Sequence, residues 1–298
     1  MDLRRLSSFL AVAEEQHFGR AAARLFLSPS ALTGHIQQLE RELGARLFHR
    51  SPVSLTPAGE RFARHARSLL DAVHSATDDV AGASQPDVET LRIGIMGHGS
   101  AELTPKVIDA FRRARPGIRL ALETLTFTEH TSALLSRRVD VAFVRPAVAD
   151  ERIAVDVLST EQRIIVAPAR WELADAPSVR LADVLDLPFV VVPPHTPRPF
   201  TDYLYFTEAR GGEAPRRSPD HAVTPQEVLT SVSAGRGAGS ALSSFARYYP
   251  WPGTVSVPVV DAPWEHSVLA TRLGDPNPAV RLFRSLATTL AERFPVRP

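Results

Sequence analysis

The chain has 298 residues with 34 basic and 33 acidic side chains, so its formal net charge is only +1. It contains no cysteine, which excludes disulfides, thiolate metal sites and cysteine nucleophiles. No stretch approaches the roughly 20 apolar residues that a membrane span needs, and the amino-terminal residues lack the continuous apolar core of a signal peptide. We therefore expect a cytoplasmic protein of two or three domains with no membrane partner.

The charge is unevenly distributed along the chain. Residues 1–70 hold ten arginines against six acidic residues, which gives +4, whereas the remainder holds 24 basic against 27 acidic residues, which gives −3. A basic module on a nearly neutral body favours nucleic-acid binding by that module, but chance clustering explains so small an excess equally well. Charge alone therefore does not decide the function.

The amino-terminal residues predict three short helices. Apolar residues recur at the i, i+3, i+4, i+7 spacing of one helix face over residues 6–13 and again over residues 18–25. A third helix is predicted to begin with Ser28 as N-cap and Pro29 at its first position, and to end at Gly44. Because the turn before the third helix is short, the pattern is typical of a helix-turn-helix.

The outward face of the third helix carries Pro29, Ser30, Thr33, Gly34 and Gln37, where a solvated face would more often carry lysine and glutamate. Short hydroxyls and an amide near a helix N-terminus can bond base edges or phosphates in a major groove. The helix N-terminus itself favours a phosphate. Glycine destabilises a helix by roughly 1 kcal/mol relative to alanine. Close approach of the backbone to DNA would offset this loss of stability. The alternative is a merely solvated polar face with a tolerated glycine.

Residues 45–50 and 53–56 predict two short strands that form a wing, with the turn at Ser51-Pro52. The segments "AVAEEQHFGRAAARL", "SALTGHIQQLERELGARLFHR" and "LTPAGE" resemble the winged helix-turn-helix of LysR-type transcriptional regulators, over residues 9–60 without a break. The resemblance implies binding to double-stranded promoter DNA. The positions that it assigns to base and phosphate contacts, with the wing residue last, are Ser28, Pro29, Ser30, Thr33, Gly34, His35, Gln37 and Arg50.

Three departures from the family pattern concern DNA contacts. Pro29-Ser30 stands where the family usually has Gln-Pro, and Gly34 where it often has arginine. The family's wing usually carries two more residues, often basic, between Arg50 and Val53. We therefore expect an unusual sequence preference and fewer phosphate contacts. Each lost contact should reduce the slope of log K for DNA against log salt concentration by roughly one unit.

Residues 57–83 predict one long helix of roughly 40 Å, and residues 81–86 predict a hinge by composition. Its apolar residues follow heptad spacing, and a second copy of the chain would bury the resulting seam. Packing on the chain's own second domain is the alternative. The seam residues are Phe62, Ala66, Leu69, Val73, Ala76 and Val80. The predicted domains are residues 1–57 for DNA binding, 58–86 for the linker and dimerisation helix, and 87–298 for effector binding.

From residue 87 onward, strand and helix patterns alternate, which predicts an α/β fold with a doubly wound parallel sheet. The predicted strands are residues 91–96, 118–125, 139–144, 164–167, 189–192, 239–242 and 267–270, and the predicted helices are residues 103–114, 128–138, 181–185, 199–210, 225–234 and 279–293. Two lobes, one of about residues 87–161 and 267–298 and the other of about 162–266, would resemble a periplasmic-binding-protein fold. The segments "LRIGI", "DVAFVRP" and "SVSAGRGAGSAL" are similar to the effector domain of the same regulators. The whole chain is therefore predicted as a winged helix-turn-helix, a long linker helix and a two-lobed effector domain.

Ligands of open α/β sheets bind at the carboxyl ends of the strands. The candidate effector-binding residues at these ends are His98, Ser100, Thr126, Phe127, Thr128, Arg145, His195, Thr196 and Thr224. Arg145 can pair with a carboxylate in a bidentate way, or form a structural ion pair between the lobes. His98 and Phe127 stand where relatives commonly have small hydroxyl residues, so the resemblance implies a bulkier or aromatic ligand. A turn residue facing water is the alternative for His98.

The sequence as a whole predicts a ligand-responsive transcription factor, not an enzyme, that binds promoter DNA as a homodimer or homotetramer and contacts RNA polymerase. No cofactor is expected, and no metal, because the ten histidines lack ligand spacing. One alternative is an enzyme or solute-binding protein on the same two-lobed fold. The other is an architectural DNA binder, which would not need a cleft of this size.

Overall fold

The computed structural model describes residues 2–82, 89–147 and 149–294. The chain divides into two compact units, Met1–Ser84 and Gln85–Pro298, which we call unit 1 and unit 2. Among the described residues, no helix is both long enough and apolar enough to cross a membrane. Part of the predicted hinge, residues 83–86, lies outside the described residues.

Unit 1 contains a helix-turn-helix, a two-stranded wing and one long helix. Its elements are α1 (Leu3–Glu15), α2 (Phe18–Arg24), α3 (Pro29–Leu43), β1 (Phe48–Arg50), β2 (Val53–Leu55) and α4 (Pro57–Gly82). The Ser28 hydroxyl caps α3 by accepting from the amide of Ala31 at 3.1 Å, and Gly44, at φ 65°, ends it. The predicted helix-turn-helix and wing are present, and α4 continues through two residues of the predicted hinge.

The core of unit 1 fixes the orientation of α3. Leu32, Ile36 and Leu39 are fully buried on its inner side. Phe9 of α1 is also fully buried, and its ring lies 5.3 Å from that of Phe48 in the wing. Burial of each such side chain contributes about 1.5–3 kcal/mol. The opposite side of α3 therefore remains on the surface.

Unit 2 consists of two lobes. Lobe 1 is built on a five-stranded sheet of order β4-β3-β5-β12-β6. Its elements are β3 (Thr90–Met96), α5 (Leu103–Ala114), β4 (Arg119–Leu125), α6 (Ser132–Leu135), β5 (Val141–Val144), β6 (Ile153–Glu161), β12 (Glu265–Arg272) and α11 (Pro278–Arg293). Helices α5 and α11 pack together over Phe111, Phe143 and Phe283.

Lobe 2 lies between the two halves of lobe 1 in the sequence. Its elements are β7 (Arg163–Pro168), α7 (Leu181–Leu185), β8 (Phe189–Val191), α8 (Arg198–Tyr205), β9 (Arg217–His221), α9 (Pro225–Ser233), β10 (Gly239–Leu242), α10 (Phe245–Tyr248) and β11 (Thr254–Pro258). Strands β10 and β11 flank β7, and β8 pairs with β9. A short 3₁₀ turn follows β7 at Glu172–Asp175.

The predicted α/β class is confirmed, but the prediction of purely parallel sheets was wrong. Strand β3 runs parallel to β4 and β5, whereas β12 runs antiparallel to β5 and β6. In lobe 2, β10 and β11 both run antiparallel to β7. The reason is the chain path, because β12 enters its sheet from the other lobe rather than through a helical crossover. Strands β6, β9 and β11 were not predicted.

Two helices are shorter than predicted. Helix α6 covers only Ser132–Leu135 of the predicted residues 128–138, because the residues before it form a turn closed by Glu129. Helix α8 ends at Tyr205 rather than near residue 210, because Phe206 adopts φ 53°, which no α-helix can continue through.

The lobes are joined by two short connections. Strand β6 of lobe 1 ends at Glu161 and β7 of lobe 2 begins at Arg163, so Gln162 alone forms the first connection. Residues 259–264 form the second, between β11 and β12. At this end of lobe 1 the pairing of β6 with β12 has a bulge between Ser267 and Val268.

Candidate functional site

The exposed face of α3 presents small and polar groups. Ser30, Gly34 and Gln37 are exposed, and Thr33 is half-buried with its hydroxyl donating to the carbonyl of Pro29 at 2.8 Å. A Cβ added at Gly34 would meet nothing within 4 Å. No steric conflict within unit 1 therefore requires glycine here. The missing side chain leaves the backbone of α3 open to close approach by a second molecule.

His35 does not lie on this face. Its Nδ1 is 2.8 Å from the hydroxyl of Ser8, which is 1% exposed. Because His35 follows Leu32 by three residues, it shares the inner side of the helix and ties α3 to α1. This contact occupies Nδ1 of His35, and the role of this half-buried residue in binding DNA stays a prediction.

Arg50 braces the wing against the helices. Its Nη2 lies 3.0 Å from Oε2 of Glu40, and its Cζ lies 4.9 Å from the centre of the Phe18 ring. The other carboxylate oxygen of Glu40 accepts from the amides of Leu47, at 2.8 Å, and Phe48, at 3.3 Å. Part of Arg50 is thus committed to unit 1, although its side chain keeps 41% exposure.

Two exposed arginines extend the polar face, and the sequence reasoning missed them. Arg41 and Arg46 line a concave surface together with Gln37 and Gly44. Residues 30, 34, 37 and 41 follow helical spacing, so Arg41 continues the same stripe by one turn. That spacing was the signal that could have identified Arg41. Both side chains can reach a phosphate that lies along α3.

The predicted dimer seam on α4 divides into two parts. Ala66 is fully buried in the core of unit 1, which corrects its assignment to the seam. Phe62 is partly buried and packs 5.1 Å from Phe9, and its place in the seam stays a prediction. Leu69 and Val73 are 45% and 38% exposed. The side chains of Ala76 and Val80, the remaining seam residues, lie outside the described part of the chain.

A pocket lies between the lobes of unit 2. Its walls are mostly apolar, and lobe 1 contributes the ends of β3 and β5. Lobe 2 contributes α8, the start of α9 and β10. The lining residues are Met96, Gly97, His98, Phe127, Arg145, Val166, Phe200, Tyr203, Leu204, Pro225, Val228, Gly239, Ser240, Ala241 and Phe245. Apolar walls with a few polar groups are typical of sites that bind small organic ligands.

Arg145 is the cation of this pocket. The residue is 8% exposed, and its Nη1 lies 2.9 Å from Nε2 of His98 and 3.3 Å from the hydroxyl of Ser244. Its Nε and Nη2 are buried without a hydrogen-bond partner among the described residues. A buried guanidinium with unpaired donors is costly unless an anion joins it.

His98 stays neutral in this arrangement. Burial, the positive charge of Arg145 and that of Arg247 lower its pKa to about 2. Because Arg145 can only donate, Nε2 of His98 accepts and the proton of the neutral ring resides on Nδ1. The ring stacks on Tyr248 at a centroid distance of 4.8 Å. Burial also lowers the pKa of Arg145 itself.

His98 and Ser244 have the spacing of a general base and a nucleophile, since Nε2 lies 2.8 Å from the hydroxyl. A base with a pKa of about 2 cannot take the hydroxyl proton near neutral pH. The same nitrogen also accepts from Arg145. The arrangement is therefore suited to binding rather than to hydrolysis.

Of the predicted effector residues, His98, Phe127 and Arg145 line the pocket and the others do not. Ser100 is fully buried and its amide donates to the Thr104 hydroxyl at 2.8 Å, so its role in effector binding stays a prediction. The other residues outside the lining are Thr126 and Thr128, whose hydroxyls bond each other, Thr224, which caps α9, and His195 and Thr196 beyond β8.

Lobe 2 supplies wall residues that the sequence reasoning missed. The ring of Phe200 stacks on that of Phe127 from lobe 1 at 4.7 Å and 25°. Tyr203 lies one turn further along α8, and Ser240 lies on β10. The sequence predicts a helix over residues 199–210, but nothing local indicates that its buried side faces the opposite lobe. Among the described residues no group of three or more potential ligands could hold a metal ion.

Comparisons with known proteins agree with this arrangement. Residues 3–60 match the model of the bacterial regulatory helix-turn-helix protein, lysR family, and residues 84–292 match the LysR substrate binding domain. The chain is 28% identical over 289 residues to the transcriptional regulator AlsR of Bacillus subtilis, covering 95% of this chain and 94% of AlsR. It is 32% identical over 271 residues to the transcriptional regulator ShiR of Corynebacterium glutamicum, covering 90% of each.

A crystal structure of full-length BenM superposes with a TM-score of 0.57 at 28% identity, covering 100% of both chains. The relatives are named as transcriptional regulators rather than as enzymes. The two matched domains follow the same order as the two structural units, and the relatives match over nearly their whole length. These findings together identify the family. The chain belongs to the LysR family of bacterial transcriptional regulators.

Proposed function

We propose that this LysR-type regulator binds promoter DNA through the exposed face of α3 and responds to a small apolar anion held by Arg145. The observation that carries the ligand class is the buried guanidinium of Arg145, whose Nε and Nη2 have no partner among the described residues, in a wall that is otherwise apolar. A carboxylate would supply both missing acceptors in the bidentate geometry that guanidinium favours. The aromatic pair Phe127 and Phe200 would pack against the body of the ligand.

The proposed DNA contacts on the exposed face of α3 are Ser28, Pro29, Ser30, Thr33, Gly34 and Gln37. Arg41, Arg46 and Arg50 lie at the margin of this face. The exposure of the short side chains and the open space beside Gly34 support this assignment. Gln37 is suited to reading adenine, and the arginines are suited to phosphates. A recognition helix enters the major groove with its N-terminal residues against the bases.

The regulator would act as a homodimer or homotetramer in the cytoplasm and would contact RNA polymerase at the promoter. Leu69 and Val73 on α4 support the dimer, because each leaves an apolar side chain partly exposed on a long helix. Replacing Leu69 with glutamate should lower the molecular mass measured by sedimentation equilibrium. An unchanged mass would show that this part of α4 does not lie in the subunit interface.

The ligand assignment is tested by thermal unfolding of the full chain with benzoate, phenylacetate and hexanoate, each compared with its uncharged primary amide. An acid that binds should stabilise the chain by about 2.7 kcal/mol at one hundred times its Kd, whereas the amide should not. Arg145→Gln should abolish the difference. Equal effects of acid and amide, or an unaltered response of the variant, would contradict an anion site at Arg145.

The DNA assignment is tested by gel shift with the DNA upstream of the chain's own gene. Thr33→Ala combined with Gln37→Ala should weaken binding, each lost base contact costing about 1–3 kcal/mol. A matched change on the inner margin of α3, Gln38→Ala, should leave affinity close to that of the unaltered chain. Equal loss in both would contradict base contacts on the proposed face.

A further inference from the structure

We propose that Ser244 transmits occupation of the pocket from Arg145 in lobe 1 to Glu161 at the connection between the lobes. This inference rests on the proposed anion site and concerns a step that follows binding. Ser244 lies in lobe 2 directly after β10 and is fully buried. Its hydroxyl is 3.3 Å from Nη1 of Arg145 and 2.8 Å from Nε2 of His98, both in lobe 1.

The backbone of Ser244 is tied to the opposite partner. Its amide donates to Oε2 of Glu161 at 2.7 Å, and the neighbouring Ser243 hydroxyl donates to the same oxygen at 3.3 Å. Glu161 is 1% exposed and is the last residue of β6, one residue before lobe 2 begins. Ser244 therefore contacts the pocket cation with its side chain and the connecting strand with its backbone.

The network continues into the paired strands that connect the lobes. The second oxygen of Glu161 accepts from the Ser159 hydroxyl at 3.2 Å. That hydroxyl lies 2.6 Å from the hydroxyl of Ser267 on β12, at the bulge in the β6–β12 pairing. Bulges locally disrupt the ladder and change strand direction. The hydrogen bonds thus reach the point where both chain connections leave lobe 1.

Charge explains why a ligand would act on this network. Glu161 is buried, and its negative charge acts favourably on the buried Arg145. A ligand carboxylate that binds Nε and Nη2 of Arg145 competes with Glu161 for the charge of this cation and reorients the guanidinium, which changes the contact of Nη1 with Ser244. Because Ser244 belongs to lobe 2 and Arg145 to lobe 1, losing this contact changes the relative energies of lobe arrangements. A ligand shifts such an equilibrium only through contacts that differ between the states.

The absence of cysteine in the sequence allows a direct measurement. Spin labels are attached to cysteines introduced as Arg112→Cys on α5 and Gln226→Cys on α9, both exposed, one in each lobe. Electron–electron resonance then gives the interlobe distance distribution of the full chain without any ligand. Ser244→Ala should shift or broaden this distribution. Ser243→Ala, which touches Glu161 but not Arg145 or His98, should leave it unchanged.

Two further variants keep the test decisive. Ser244→Thr retains the hydroxyl and should restore the original distribution. Arg145→Gln should reproduce the effect of Ser244→Ala, and combining them should add nothing, because both remove one shared contact. If Ser244→Ala and Arg145→Gln each leave the distances unchanged, or if their effects add, Ser244 does not transmit the signal. The anion site itself is judged by the separate thermal comparison of acids and amides.

Discussion

Nη1 of Arg145 lies 2.9 Å from Nε2 of His98, so a buried guanidinium faces an uncharged imidazole rather than a carboxylate. The imidazole satisfies one donor of the cation without neutralising its charge. The negative charge of Glu161 acts favourably on Arg145, and its carboxylate accepts from the amide of Ser244. The pocket is consequently electropositive in the unliganded chain, which is a suitable condition for attracting an anion.

His98 should make the stability of unit 2 depend on pH. Its pKa is about 2 when folded, against an ordinary value of 6.5, so protons bind preferentially to the unfolded chain below pH 6.5. Its contribution to stability is complete above pH 6.5 and is lost progressively as pH falls toward 2. His98→Gln should therefore reduce the loss in free energy of unfolding as the pH falls from 6 to 4, by up to about 1.4 kcal/mol per pH unit.

Urea unfolding followed by tryptophan fluorescence measures this effect, because all three tryptophans, Trp171, Trp251 and Trp264, lie in unit 2. Burial also lowers the pKa of His130, to about 4. That histidine remains in both proteins, so the difference between their pH profiles isolates His98. Parallel profiles would show that His98 is protonated equally in the folded and unfolded chain.

Gly34→Ala separates the stability of α3 from its contact with DNA. The added methyl meets nothing within 4 Å, and alanine is favoured over glycine in a helix by roughly 1 kcal/mol. We expect unit 1 to become more stable, measured by circular dichroism, while the affinity for DNA in gel shifts falls. A more stable variant with unaltered DNA affinity would mean that the backbone at this position does not approach DNA closely.

Arg41 and Arg46 should contribute to DNA affinity through charge rather than sequence. Changing either to alanine should weaken binding to all DNA sequences similarly and reduce the slope of log K against log salt by roughly one unit. Arg113→Ala, an exposed arginine on α5 in unit 2, is the control. Fluorescence anisotropy over a series of salt concentrations measures the slopes, and a slope that does not change places the side chain away from phosphates.

Glu40 should be needed for the position of the wing. It accepts from the amides of Leu47 and Phe48 and pairs with Arg50, and its side chain is only 13% exposed. Glu40→Ala leaves buried donors unpaired, which costs about 1–3 kcal/mol each. Hydrogen exchange at the Leu47 and Phe48 amides should accelerate. Glu14→Ala, whose pair with Arg24 is more exposed, should have a much smaller effect on those amides.

The sequence predicted α3 well because its signals are local. The cap at Ser28, the apolar spacing and the final Gly44 act within one helix, so they also predicted which side faces outward. The contacts of His35 with Ser8 and of Arg50 with Glu40 join separate elements, and no spacing in the sequence indicates them. The sequence therefore predicted the DNA-binding roles of His35 and Arg50 but not these contacts within unit 1.

The pocket was predicted in part for a similar reason. His98, Phe127 and Arg145 follow strands whose carboxyl ends meet at one edge, so sheet topology alone brings them together. Phe200 reaches the pocket because the second lobe folds over the first, and Ser244 depends on the same packing. The antiparallel direction of β12 likewise follows from the return path of the chain rather than from any pattern within the strand.

The single-residue connection at Gln162 restricts what the two lobes can do. One intervening residue spans at most a few ångströms and offers only its own backbone torsions, so the lobes cannot slide apart at that edge. The longer second connection tolerates a change of angle. The connection therefore favours a swivel of one lobe about this edge over a translation of the two lobes.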